Sequence, residues 1–455
     1  MYINDFVWPR NWKFHSELDA HGLYLPLDGL QLATGKALYG LMKLKMLYSV
    51  ISAQAQDGAW YQGEWTDLID AHYRLHNAAM LMLAAGPEEY SDDAMAAALG
   101  RAAAFLPRCT DQTDIGHWFL HDTLEDSEAN METMRQQTNP PWIPSRTLDK
   151  SPTNKLILST HLDAIVAVER YRDATGDGQY AQLVTSARGA ARVLLTLRPA
   201  EALYRLIYRA IDLTLLPKDR AMALLLPLLK RLLKRLTWMY LTPRMHRVKR
   251  LFPRIVMPGG LIERHIAPMQ HDINYNPVNV MDLARFQRRF PDESLDEVIA
   301  GAVRAVAGGG LLRYWSEAAN RRFAVVELAD ALYQLCTLGP DPELRRQLAE
   351  TLLLVHDLGL GLPPTLLGGD AEVVRHGRRI PCPSPTDGRL LVANLSRGEG
   401  GEFLVVNPTC ADVPLAFAPP RPAGLAWSDA RGLKIPDTET ISLTQRSWLI
   451  GRTTS

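Results

Sequence analysis

The stretch HWFLHDTLED at 117–126 gathers His117, His121, Asp122 and Glu125 within ten positions. The pairs His117/His121 and His121/Glu125 are each four residues apart, which puts them on one face of a helix. With Glu128 and Glu132, a helix over 117–132 is expected to carry one polar stripe, either bordering a cleft or facing solvent. Imidazole beside carboxylate is the equipment of acid/base catalysis. A second HxxxH pair, His72 and His76, has the spacing of zinc ligands. Here, though, Tyr73, Arg74 and Leu75 lie between the histidines, without the glutamate of zinc proteases. No metal and no cofactor is expected.

Two further segments carry matching chemistry. ERHIAPMQHDINYNPVNVMD (263–282) contains Arg264, His271, Asp272, Tyr275 and Asn276, and SPTNKLILSTH (151–161) contains Asn154, Lys155 and His161. Hydrolysis of a glycosidic bond uses two carboxyls. Elimination or epimerisation beside a carboxylate needs a base for the adjacent proton and a cation or amide for the developing charge. His121, Asp122, Glu125, His161, His271 and Tyr275 are the candidate catalytic groups. Asn154, Lys155, Arg264 and Asn276 are candidates to hold substrate, and Trp60, Trp65, Trp118 and Trp142 offer flat faces for sugar rings.

Such distant segments meet only if the intervening elements bring them together. Residues 1–365 read as helices in pairs, over 68–90, 158–177, 279–306 and 325–355, each an apolar helix, a short acidic turn and a second amphipathic helix. Repeated pairs of this kind bury their apolar faces by stacking, in a solenoid or a closed ring. From 366 to 455 the pattern changes to short β-rich runs, 389–396, 401–409, 413–419 and 441–451, bounded by Gly, Pro, Asn and Asp. These predict a small antiparallel β-sandwich.

The helix leading into Gln54-x-x-x-Gly58-x-Trp60 resembles a turn of the α/α toroids, which include isoprenoid cyclases and many polysaccharide-processing enzymes. SPTNKLILSTHLDAIVAVERY (151–171) resembles a stretch of the D-glucuronyl C5-epimerases, matched at Thr160 and His161 with Asn154 and Lys155 just before. A helical toroid followed by a β-sandwich is likewise the layout of many polysaccharide lyases. The resemblance implies a mainly α fold, an (α/α) toroid with a C-terminal β-sandwich. It also implies an enzyme acting on a polysaccharide or lipid-linked saccharide that contains uronic acid. In a closed ring, loops before inner helices converge at one end, which would join 117–126, 154–161 and 271–276. Two other readings use the same residues. One is a non-catalytic saccharide-binding or assembly factor. The other is an isoprenoid cyclase, although no DxDD or DDxxD is present.

The chain has 455 residues, 47% hydrophobic and 22% charged, with net charge zero, the composition of a globular protein. Its four cysteines, Cys109, Cys336, Cys382 and Cys410, lack CxxC spacing and fit a reducing compartment. Neither a secretory signal nor an uninterrupted apolar span is seen, so a cytoplasmic location is expected. Charge is unevenly spread. Residues 201–256 hold thirteen Lys/Arg against three Asp/Glu, a local net of +10, so the remainder sums to −10. Within this insertion Lys230, Arg231, Lys234 and Arg235 fall on one helix side opposite leucines, followed by Trp238 and Tyr240. A basic amphipathic helix with aromatic flanks is the pattern of a segment lying on an anionic membrane, here peripherally on the inner membrane. The leucine-rich stripe argues against nucleic acid.

Overall fold

The structure is a computed structural model and describes residues 17–60, 92–137, 144–215, 227–266, 273–307, 310–368, 380–397, 400–419, 424–429, 432–435 and 441–453. Trp65, His72, His76, Trp142, His271 and Asp272 lie outside the described residues. The fold is mostly helical, with small antiparallel sheets near the C-terminus. In chain order come α1 (Glu17–Thr34), α2 (Ala37–Ile51), α3 (Asp93–Phe105), β1 (Thr110–Thr113), β2 (Gly116–Phe119), α4 (Glu128–Gln137), α5 (Leu158–Thr175), α6 (Ala181–Thr196), α7 (Glu201–Leu215), α8 (Pro227–Leu236) and α9 (Met245–Leu251). Then follow α10 (Asn276–Arg289), α11 (Asp296–Ala307), α12 (Gly310–Ser316), α13 (Phe323–Cys336), α14 (Pro342–Asp357), β3 (Leu391–Asn394), β4 (Glu402–Asn407), β5 (Val413–Leu415), β6 (Leu425–Ser428), β7 (Ile441–Leu443) and β8 (Ser447–Thr453).

The described chain forms two compact units, one of Val50–Arg321 and one of Asp19–Ser49 with Arg322–Ser455. This moves the expected boundary at 366: the hairpin α13–α14 belongs with the strands. In that unit β3-β4-β8-β6 form an antiparallel sheet and β5-β7 a second. Phe403, Val405, Val392, Trp427 and Leu449 from the first share one core with Val413 and Leu443 from the second. Every residue of β4 is buried, because its other face packs on α14. There the buried Arg345 Nε and Nη2 meet Glu402 Oε1 and Oε2 at 2.6 and 2.9 Å.

In the Val50–Arg321 unit, α5 is the central helix. Its residues Ala164–Arg170 are all buried, the mark of an interior helix, and it packs against α3, α6 and α10. Gly176 ends it in the left-handed region, at φ 77°. Arg285 on α10 reaches Asp163 at 3.1 Å, and Arg289 reaches Asp173 at 2.6 Å, so two ion pairs fix the two helices in register. The pairs α10–α11 and α13–α14 fall where helical hairpins are expected over 279–306 and 325–355, whereas 158–177 holds the single helix α5 and its turn, and its partner α6 begins only at Ala181. The hairpin expected at 68–90 lies outside the described residues.

The expected helix over 117–132 is not formed. Residues 110–119 make the hairpin β1–β2, pairing Thr110 with Phe119 and Thr113 with Gly116. A single helical turn follows at Thr123–Asp126, and only then α4. Gly116 explains the difference: its φ is +125°, and a Cβ there would sit 2.7 Å from the Ser186 carbonyl oxygen. The His-Trp-Phe run then continues as a strand, as aromatic residues favour. His117 leaves the polar stripe, and both its backbone N–H and its Nδ1 meet Ser186 Oγ, at 3.1 and 2.9 Å.

Candidate active site

Three loops come together: 119–126, 151–158 and 257–266, the last of them not among the segments expected to converge, while His271 and Asp272 of the expected third segment lie outside the described residues. The turn after β2 carries His121, Asp122 and Glu125, all buried. Glu125 binds the turn to the next segment: its Oε2 accepts the backbone N–H of His121 and its Oε1 that of Lys155, the latter at 2.6 Å. Thr153 Oγ1 donates to the Glu125 carbonyl at 2.6 Å. On the other side Asp111 of β1 accepts from Ser151 N and Asn154 Nδ2, both at 2.8 Å. Residues 151–155 are thereby fastened along the turn, and α5 begins just beyond, delivering Thr160 Oγ1 to His121 Nδ1 at 2.5 Å.

The third loop is a tight reversal at Met257–Leu261. Gly259 and Gly260 have φ of +93° and +102°, and a Cβ on Gly260 would lie 2.0 Å from the Gly301 carbonyl oxygen. Only glycine fits there. The returning strand runs beside 155–158, with Leu158 N donating to Arg264 O at 3.1 Å and Ile266 N to Lys155 O at 3.4 Å. It presents Glu263, Arg264 and His265. Arg264 Nη2 lies 3.5 Å from His121 Nε2, and the guanidinium stacks 4.2 Å from the Tyr275 ring centre. Asn276 starts α10, its Oδ1 accepting from Ile262 N at 2.8 Å.

The electrostatics divide these groups. Burial pushes the Glu125 carboxyl up, the Lys155 ammonium opposes that, and Asp122 adds to it. Burial and then the neighbouring cations Arg264 and Lys155 hold His265 well below the usual imidazole range, so this ring is neutral at pH 7. Among the described residues the enclosed Arg264 Nε, His265 Nδ1 and Asn276 Nδ2 meet no hydrogen-bond partner. Buried polar atoms are rarely left so.

Several expected site residues have other work. His161 is wholly buried and stacks on Trp118 with ring centres 3.7 Å apart. Its Nδ1 accepts Phe119 N–H at 3.1 Å, and its Nε2 therefore donates to the Ala187 carbonyl at 3.0 Å. With both nitrogens engaged on backbone groups and its pKa lowered by burial to about 3, it is closed to a substrate. Trp118 and Trp60 are fully buried and present no open face to a sugar. Trp60 Nε1 donates to the Val50 carbonyl at 3.0 Å, so it closes the helix end. Asn154 is buried and spent on Asp111 and Leu156 N. His121, Asp122, Glu125, Lys155, Arg264, Tyr275 and Asn276 share the cluster.

Sequence reasoning missed His265 and the pair behind it. Glu263 is buried between Lys249 of α9 and the Tyr208 hydroxyl of α7. His265 stood in the quoted ERH run, and the glycine pair that turns it inward was the available signal. Nothing in spacing tied Lys249 to Glu263.

No family model matches the chain, and no curated protein matches it. Among solved structures, the chain is similar to a GH127 β-L-arabinofuranosidase from Geobacillus stearothermophilus T6, at 11% identity and a TM-score of 0.32, over 96% of this chain and 71% of that one. At that TM-score the likeness carries no weight for fold or reaction. Among the described residues no helix is long and apolar enough to cross a membrane.

Proposed function

We propose that this chain is an acid/base enzyme acting on a saccharide that bears a carboxylate, of the uronic-acid type, on a scaffold of ring-forming helical hairpins. One observation carries the reading: a neutral imidazole and a phenol flank an arginine that has an unpartnered donor. Arg264, with Lys155 beside it, is suited to hold the sugar carboxylate and to take up charge as it develops there. His265, kept neutral by burial and then by its cationic neighbours, removes the proton on the adjacent carbon. The electron pair then delocalises into the carboxylate. Tyr275 returns a proton to the opposite face, giving the epimer. Alternatively, the C–O bond on the next carbon, which links to the neighbouring sugar, breaks as the double bond forms, and the leaving oxygen is protonated, giving elimination. Hydrolysis fits less well, because Glu125 has both oxygens on backbone N–H groups and Asp122 Oδ1 accepts Leu124 N.

The substrate is read as polymeric or lipid-linked, with the enzyme held on an anionic bilayer. Leu229, Leu232 and Leu236 on one side of α8 are 49%, 52% and 47% exposed. Arg231, Lys234 and Arg235 on the other side are exposed as well. Each basic residue near such a surface adds about 1 kcal/mol. Replacing Arg231, Lys234 and Arg235 by Gln should release the protein from anionic vesicles, and undiminished binding removes the bilayer from the reading.

The catalytic reading is tested by turnover of uronate polymers with Arg264→Gln, His265→Gln and Tyr275→Phe. Losing a positioned acid or base costs roughly 10²–10⁴-fold in rate, with melting temperatures close to wild type. Full activity in all three variants overturns the assignment.

A further inference from the structure

The exposed large apolar side chains of this chain are not scattered. Among the described residues, Leu38, Leu41, Met42, Leu44 and Tyr48 of α2 form one group, and all the others except Leu433 fall between Leu203 and Phe252. The second group includes the α8 leucines. The first lies in the other compact unit, on a helix that takes no part in the proposed reaction. α2, ALYGLMKLKMLYSVI, has 15 residues and no carboxylate. At 3.6 residues per turn, Leu38, Leu41, Met42, Lys45 and Tyr48 share one side, with Leu44 at its margin. Met46, Leu47 and Val50 on the other side are buried. Lys43 turns toward α1, where its Nζ meets Asp28 Oδ1 at 2.6 Å. A helix that is apolar all round is normally covered all round, yet on the open side of α2 Leu38 and Leu41 are 60% and 65% exposed. Lys45 is the one charge on that side, and Lys36 stands exposed just before the helix.

We infer that the open side of α2 seats on an anionic lipid bilayer and lies in its plane. Leucine, methionine and tyrosine beside lysines, with no carboxylate, make up a helix whose apolar side dips into the boundary between headgroups and acyl chains. Tyr48 suits that boundary, because its ring is apolar and its hydroxyl stays wet. Lys36 and Lys45 meet anionic headgroups. The 15 residues of α2 fall short of the roughly 20 that a spanning helix needs, so the helix lies flat. A second copy of the chain fits this side less well. Each partner of a stable pair brings about 20–30 residues to the interface, and one side of one helix brings only those just named. A bilayer sets no such minimum and accepts a convex ridge. Leu38 to Tyr48 and α8 belong to different units, so the seat of α2 on lipid stands or falls separately from that of α8.

The test places an environment-sensitive fluorophore on the full chain at Leu41→Cys, with Cys410→Ser to remove the exposed native thiol; Cys109, Cys336 and Cys382 are buried. Without vesicles the label should emit as it does in water. With vesicles of equal parts phosphatidylcholine and phosphatidylglycerol its emission should shift to the blue, and lipids spin-labelled on the acyl chain should quench it. The same label at Glu350→Cys, at an exposed position of α14, should respond to neither. Unlabelled Leu38→Gln/Leu41→Gln should need roughly tenfold more lipid for half-maximal co-sedimentation. Its melting temperature should match wild type, since both side chains are exposed. A chain that sediments with vesicles while the label at 41 stays in water, or a double variant that binds as wild type does, overturns the seat on α2 and leaves that on α8 standing. A chain that does not sediment with vesicles overturns both. A label already shielded without lipid overturns the bilayer as occupant, and a dimeric mass in the ultracentrifuge then assigns the face to a second copy.

Discussion

The histidines of this chain separate by what their nitrogens touch. His161 is locked neutral between a backbone donor and a backbone acceptor, and its protonation would cost the Phe119 contact. In the unfolded chain the same ring takes a proton near pH 6.5, whereas in the fold it refuses one until about 3. Between those values the unfolded state binds more protons, so stability is fully present above 6.5 and declines as the pH falls toward 3. A His161→Gln variant keeps an acceptor and a donor for the same partners but does not titrate. It should lose about 1–2 kcal/mol at pH 7 with the lost stack, yet show a flatter decline in urea midpoint between pH 6.5 and 4. An unchanged acid slope contradicts the assignment. The sequence made the types of the site residues legible, because His, Asp, Glu and Arg are rare in close array. It did not make their partners legible. His161 looks like a base by type and is excluded by two hydrogen bonds that come from β2 and α6.

At the scale of elements, local stereochemistry was readable and long-range pairing was not. The Gln54-Gly58-Trp60 turn behaves as its residues require. Gly58 has φ +95°, and a Cβ would lie 2.2 Å from the Arg101 carbonyl oxygen. Gln54 spans the turn, donating to Gly58 O at 3.1 Å and Ala98 O at 2.9 Å and accepting from Arg101 at 2.8 Å. Gly58→Ala should therefore destabilise by about 2–4 kcal/mol through strain and clash, read as a lowered melting temperature. A neutral result would mean that the turn relaxes. By contrast, no pattern announced that Arg345 of α14 meets Glu402 of β4, 57 positions later. Arg345→Met alone should cost about 3–5 kcal/mol, since it leaves a buried carboxylate, while adding Glu402→Met should recover most of it. A double variant no better than the single would show that packing, not charge, dominates there. The helix expected over 117–132 from four-residue spacing does not form for a local reason: Gly116, at φ +125°, reverses the chain into a hairpin.

Across the whole molecule, the expected order of helices followed by strands is present, while the boundary falls earlier because α13 and α14 pack with the sheets. The charge segregation visible in the sequence has a structural counterpart. Segment 201–256 supplies the exposed leucines and cations of α8, and the Tyr208 and Lys249 that hold Glu263 next to Arg264. Isotope exchange reads directly whether Arg264, His265 and Tyr275 loosen a proton next to a sugar carboxylate, as proposed, whatever product follows. A uronate-containing polymer incubated with the enzyme in D2O should gain deuterium at the carbon bearing the carboxylate, or yield an unsaturated uronate. Arg264→Gln should suppress both by at least a hundredfold. Cleavage or binding of the polymer by the wild-type chain with no exchange and no unsaturated product would contradict the account.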